Sequence, residues 1–269
     1  MRLPQAIALG VALIIVVLLF IAPRTHEKLQ DSSIQAGISS DSLLLSLEST
    51  LDQSHSGQYA ELKRRFNDGD TAAFGDLRKF WIGENAPFGI AVYQRILAER
   101  TGLANEWIRA GKDFHRMALF AEQEKKGFAY ELAIHAFNKA LEIAPGNKEA
   151  RLKLGVCLVE GSGNPMKGVE LLLGLVKEDS TDIDAHLQLG FFSLQSRQFD
   201  KAIDRFKRIL EIDSLYADSW LYIGQALEMK GELDGAVMNY EKYYVSVQDT
   251  LVREQLRSYI DKIKQTKSN

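Results

Sequence analysis

Cysteine is almost missing from this chain. Cys157 is the single one in 269 residues, so no disulfide framework can form within one copy. Flanked by Val156 and Leu158, it reads as a small apolar filler rather than a reactive thiol. The five prolines and the 26% charged fraction fit a helical body. The five histidines, His26, His55, His115, His135 and His186, form no pair at metal-ligand spacing, and no His-Glu-x-x-His string occurs. A phosphate-binding loop is missing as well. Gly161-Ser162-Gly163-Asn164-Pro165 lacks the Lys-Ser/Thr that should follow, and reads as a turn. No serine stands in a Gly-x-Ser-x-Gly elbow. Asn67-Asp68-Gly69-Asp70 lacks the alternating ligands and distal glutamate of a calcium loop, and reads as a turn capping the next helix. The net charge is −3 with both signs interspersed, which offers nothing to nucleic acid. The expectation is a protein that is not an enzyme, with no catalytic residue, no metal and no cofactor.

What is present begins with an uncharged run over residues 6–22, from Ala6 through Val11, Ile15, Val17 and Phe20 to Ala22. Its length is just enough to cross a bilayer as a helix, which takes roughly 17–25 residues. Phe20-Ile21-Ala22 is a poor cleavage site, and Pro23 follows directly. An uncleaved membrane anchor over residues 1–24 is therefore expected. A cleaved signal peptide and a buried core helix are the competing readings. Arg2 flanks one side of the run and Arg24 and Lys28 the other, so the positive-inside rule does not fix the orientation. The short tail before the anchor favours a body on the extracytoplasmic, periplasmic side. Residues 25–40 are polar and read as a linker.

Residues 41–113 read as a helical region. Leu43, Leu44, Leu47 and Leu51 share one helical face, Gly57 is expected to interrupt it, and Tyr59, Leu62 and Phe66 continue the period. Two more helices are expected over residues 71–81 and 86–100, and could form a degenerate repeat. A long helix is expected over residues 105–125.

From residue 114 to 250 one pattern returns four times. Ala121, Gly155, Gly190 and Gly224 recur every 34 or 35 residues, each after a bulky apolar residue: Phe120, Leu154, Leu189 and Ile223. About twelve residues later come Ala133, Gly168, Ala202 and Ala236, and four positions beyond those Phe137, Leu172, Phe206 and Tyr240. The apolar spacing within each unit is helical. The small residue of a first helix is expected to let the second approach closely, with the large residue filling the space. No such pair buries its apolar face alone, so neighbours must stack. The units are 114–147, 148–182, 183–216 and 217–250. Residues 251–269, with Val252, Leu256, Tyr259, Ile260 and Ile263 in one stripe, read as a capping helix.

This pattern resembles the tetratricopeptide repeat family, whose period is 34 residues. Trp220 to Leu227, with Ala236 and Tyr240 behind, is the best single line, and Pro145 stands where the family ends its second helix. The resemblance implies an all-α, right-handed superhelical solenoid of antiparallel helix pairs, here preceded by the transmembrane helix. It also implies a concave face lined by the first helices. The positions carried over are Glu149, Leu152, Val156 and Val159; Asp184, Leu187, Phe191 and Leu194; Asp218, Leu221, Gln225 and Glu228; and, in the first unit, His115, Ala118, Glu122 and Lys125. The partner-binding groove is thus expected at Leu152, Val156, Val159, Leu187, Phe191, Leu194, Leu221 and Gln225. Family members that clamp a carboxylate use lysine, asparagine and arginine there. This groove is apolar with an acidic rim, which suits a protein or peptide with an apolar or amphipathic helix. Two other readings stay open: the segment 43–66 fills the groove, or these residues are buried between helices. The expected role is a membrane-anchored scaffold for protein–protein interaction. By family analogy it would serve envelope assembly, such as cytochrome c maturation or secretion-linked chaperoning. The alternative is a self-assembling structural protein, and the oligomeric state is open.

Overall fold

The computed structural model describes residues 40–161 and 164–268. The expected anchor at 6–22 and the linker up to residue 39 lie outside the described residues. Among the described residues, no helix is long and apolar enough to cross a membrane. They contain thirteen α-helices and no strand, the all-α class that the periodicity predicts. In chain order these are α1 (Ser40–Glu48), α2 (Gln53–Asn67), α3 (Ala72–Gly83), α4 (Pro87–Thr101), α5 (Ala104–Phe120), α6 (Gln123–Ile143), α7 (Lys148–Gly161), α8 (Pro165–Glu178), α9 (Ile183–Gln195), α10 (Phe199–Ile212), α11 (Asp218–Lys230), α12 (Leu233–Ser246) and α13 (Thr250–Ser268). They fall into two compact units, divided inside α8 between Leu171 and Leu172.

The first unit is built on a core that includes Leu77, Trp81, Val92, Phe114 and Phe137, all at 2% exposure or less. Burying each such side chain is worth about 1.5–3 kcal/mol. The chain breaks between α1 and α2 at Ser49 and Thr50, not at Gly57. The hydroxyls of Ser49 and Thr50 donate to the carbonyls of Ser46 and Leu47, and Asp52 Oδ1 accepts from the His55 amide at 2.8 Å to start α2. Such short polar side chains compete with the helix backbone for its partners. Gly57 is exposed inside α2, and the helix continues because Tyr59, Leu62 and Phe66 anchor it in the core. Leu44, Leu62 and Phe66 all belong to this core, α1 packing on α4 and α2 on α3. The segment 43–66 is thus a structural part of the first unit. Glu48 ties it down, accepting from Tyr59 and from Lys63 Nζ at 2.9 Å, while the Tyr59 and Tyr93 hydroxyls meet at 2.6 Å. At Asn67-Asp68-Gly69-Asp70, Gly69 takes a left-handed φ of 92°, and Asp70 Oδ1 accepts from the Ala72 amide at 2.9 Å. It is the helix-starting turn that the sequence predicts.

The first repeat departs from its expected frame. No helix runs over 105–125. The chain leaves α5 at Ala121, with φ −72° and ψ 149°, and re-enters a helix at Gln123. The small residue beneath Phe137 is consequently Gly111, not Ala121. A Cβ on Gly111 would lie 2.7 Å from the Phe137 ring. Residues 114–147 hold only the end of α5 and the whole of α6. Ala118 is fully buried, so it lines no surface.

In the second unit the repeat behaves as its spacing predicts. The Asp182 carboxylate caps α9 by accepting from the Ala185 amide at 2.9 Å. The chain turns at Ser196-Arg197-Gln198 and runs back as α10. Gly190 faces Phe206: an added Cβ would lie 2.5 Å from the ring. Gly231, at φ 89°, closes α11 as a left-handed C-cap, and Gly224 meets Tyr240 as Gly190 meets Phe206. Leu256, Ile260 and Ile263 of α13 bury against Ala236, Val237 and Tyr240.

Candidate functional site

The first helices of the second unit, α9 and α11, carry one face that the core leaves half open. On a helix, residues at i, i+3, i+4 and i+7 share a side. Asp184, Leu187 and Phe191 fulfil this on α9; Asp218, Leu221, Tyr222 and Gln225 do so on α11. Asp184 and Asp218 are exposed, and the other five are half-buried. Phe191 is the hinge of the packing. Its ring stands edge-on to Tyr222 at 4.8 Å between centroids and to Phe206 at 5.7 Å. Aromatic pairs prefer this edge-to-face arrangement because the ring edge is positive and the face negative. Leu187 and Tyr222 pack on the same cluster.

The eight groove residues expected from the sequence fall in both units. Leu152, Val156 and Val159 lie in the first unit, and Leu187, Phe191, Leu194, Leu221 and Gln225 in the second. Leu187, Phe191, Leu221 and Gln225 keep open surface, as do Leu152 and Val159. Two do not. Leu194 is 1% exposed and belongs to the core with Ala202, Ile203 and Phe206. It lies where α9 turns its side toward α10, so it is a packing residue. Val156 is likewise buried, at 5%. Among the other carried-over positions, Glu228 serves the interior. It accepts from Tyr240 at 2.5 Å and from Tyr259 at 2.6 Å, joining α11 to α12 and α13. His115 meets Glu160 at 2.9 Å, and Tyr130 donates to the same carboxylate oxygen at 3.0 Å. That cluster ties α5, α6 and α7 together.

The electrostatics of the open face come from three tyrosines that the groove positions did not include. Burial raises the pKa of Tyr222, and the nearby Asp218 carboxylate raises it further. Burial first, then Asp218 and Asp184, push Tyr216 the same way. Tyr243, on α12, is raised by burial and by Asp218, to which its hydroxyl is hydrogen-bonded. Of the three, Tyr243 donates to this carboxylate. The spacing of one of them is a signal in the sequence: Tyr222 is four residues after Asp218, on the same helical face. Behind this face His186 is buried. Its ring accepts from Arg205 at Nδ1, 3.3 Å away, and donates from Nε2 to the Ser180 carbonyl at 3.1 Å. Among the described residues, no group of three or more His, Cys, Asp and Glu side chains could hold a metal ion. The face offers apolar surface, rings and carboxylates.

Residues 194–249 match the family model of the tetratricopeptide repeat. The matched stretch includes the whole of α10, α11 and α12 and the contact of Gly224 with Tyr240. No curated protein sequence matches the chain. Among solved structures, a MamA protein superimposes with a TM-score of 0.49 at 18% identity, covering 65% of this chain and 91% of that one. MamA from Desulfovibrio magneticus RS-1, from its residue 41 onward, gives 0.48 at 16% identity, with 64% and 92% covered. YrrB, a tetratricopeptide protein with an unusual peptide-binding site, gives 0.47 at 18% identity, with 74% and 97% covered.

Proposed function

We propose that this chain is a membrane-anchored tetratricopeptide scaffold that holds another protein against the open face of α9 and α11. The observation that carries the reading is that face itself: Leu187, Phe191, Leu221 and Tyr222 remain half open although each borders a dense core. Apolar surface left on stacked helix pairs is what partner helices and peptides use. The uncharged run at residues 6–22 supports the anchor, with the body on the extracytoplasmic side. In this reading the protein is a non-enzymatic recruiter in envelope assembly, of the kind that serves cytochrome c maturation or secretion-linked chaperoning.

The test is a pull-down with the full chain in detergent micelles, comparing wild type with a Leu187→Glu/Phe191→Glu variant. Circular dichroism establishes that the variant is folded. The expected result is that specific partners of wild type are lost from the variant. Recovery of the same partners by both would remove the face from the account.

A further inference from the structure

The open face of the second unit is not uniformly apolar. At the N-terminal ends of α9 and α11, Asp184 and Asp218 stand exposed beside Tyr216, Tyr222 and Tyr243. Neither carboxylate has a cationic side chain as an ion-pair partner among the described residues. Nor is either needed to start its helix through a cap. Asp182 caps α9, and Asp218 instead accepts from the Tyr243 hydroxyl. Lys242, which reaches the first turn of α11, is engaged elsewhere, 4.1 Å over the Trp220 ring. The result is two uncompensated negative charges over half-buried aromatic rings, continuous with the apolar strip of Leu187 and Phe191.

We propose that this face binds a segment of another protein in which an arginine or lysine is flanked by apolar residues. The cation would lie between Asp184 and Asp218 against the tyrosine rings, and its apolar neighbours on Leu187 and Phe191. The inference rests on the scaffold reading above and adds the partner's chemistry to it. The argument is charge complementarity. An aromatic face attracts a cation through its quadrupole, carboxylates attract it by charge, and a partly desolvated surface strengthens both. An acidic or purely apolar segment would leave both carboxylates unpaired at the edge of the contact, which opposes binding.

The experiment lets the protein choose. A phage-displayed library of random dodecapeptides is selected on the full chain in detergent micelles. The best peptide is then measured by calorimetry beside a version with citrulline for arginine, or norleucine for lysine. The expected result is enrichment of arginine or lysine next to apolar residues, and about tenfold weaker binding of the uncharged version, or 1.4 kcal/mol. In an Asp184→Asn/Asp218→Asn variant, whose exposed positions leave the core intact, the two versions should bind alike. Binding of the charged version should also weaken with salt. Selected peptides without such enrichment, or equal affinity of both versions for the wild type, overturn the inference and leave apolar docking standing. Peptides that ignore Leu187→Glu/Phe191→Glu, or a selection that yields none, overturn the scaffold reading of this face as well.

Discussion

The glycine–aromatic contacts make a prediction with a sign. Gly190 lies inside α9, where alanine is the better helix former by about 1 kcal/mol. An exposed helical glycine changed to alanine should therefore stabilise the fold. At Gly190 the new methyl would lie 2.5 Å from Cε1 and 2.7 Å from Cζ of Phe206. The ring cannot retreat, because Phe206 is fully buried between Ala202, Ile209 and Ile223. Overpacking of this kind costs typically about 1–3 kcal/mol. The net for Gly190→Ala is thus a loss of about 0–2 kcal/mol. Gly174 in α8 is the control, since nothing lies within 4 Å of its added Cβ. Gly174→Ala should gain about 1 kcal/mol, so the two variants should differ by about 1–3 kcal/mol. At roughly 2–4 °C per kcal/mol, calorimetric melting resolves that gap. In a Phe206→Leu background the penalty at Gly190 should vanish, because the clashing ring atoms are gone; the coupling in this double-mutant cycle should be about 1–3 kcal/mol. If Gly190→Ala stabilises as Gly174→Ala does, the close approach does not set the repeat, and the reasoning fails.

Tyr240→Phe removes a hydroxyl that donates to Glu228 at 2.5 Å, and should lower stability by about 1.5 kcal/mol as a charged hydrogen bond is lost, read by urea melts. Burial, ahead of the nearby Arg205, lowers the pKa of His186 below its usual 6.5. The unfolded chain therefore takes up this proton first, so the contribution is intact above about pH 6.5 and is lost as pH falls below it. A His186→Gln variant should show a flatter stability profile between pH 7 and 5. Burial, with Glu160 as a smaller cause, pushes the Cys157 thiol up, so iodoacetamide should label it only on unfolding, as mass spectrometry would show.

The second unit was legible in the sequence because it carries chemical marks: Asp182 before α9, Gly231 after α11, and small residues fixed by the aromatics across from them. The first repeat had no such mark. Around Ala121 the chain reads Phe-Ala-Glu-Gln-Glu-Lys-Lys, good helix formers that carry no stop signal, yet the backbone turns there. Phe137 kept its register, and the 34-residue spacing from Ala121 to Gly155 made the wrong partner look right. Gly57 failed in the opposite sense, since one exposed glycine costs about 1 kcal/mol, less than the buried Tyr59, Leu62 and Phe66 return. At the open face, position counting found Leu187, Phe191, Leu221 and Gln225. It also took in Leu194, because it does not see how α9 is rotated against α10. It missed Tyr216 and Tyr222, which flank Asp218 along the chain, and Tyr243, which reaches Asp218 only once α11 and α12 are folded together.

The central claim is that a partner lies on α9 and α11. Placing the photo-crosslinking residue p-benzoylphenylalanine at Phe191 of the full chain in its native cells tests it most directly. The control position is Asp204, exposed on α10. The account predicts a discrete adduct from position 191 and none from 204. No adduct at 191, or the same adducts from both positions, would contradict it.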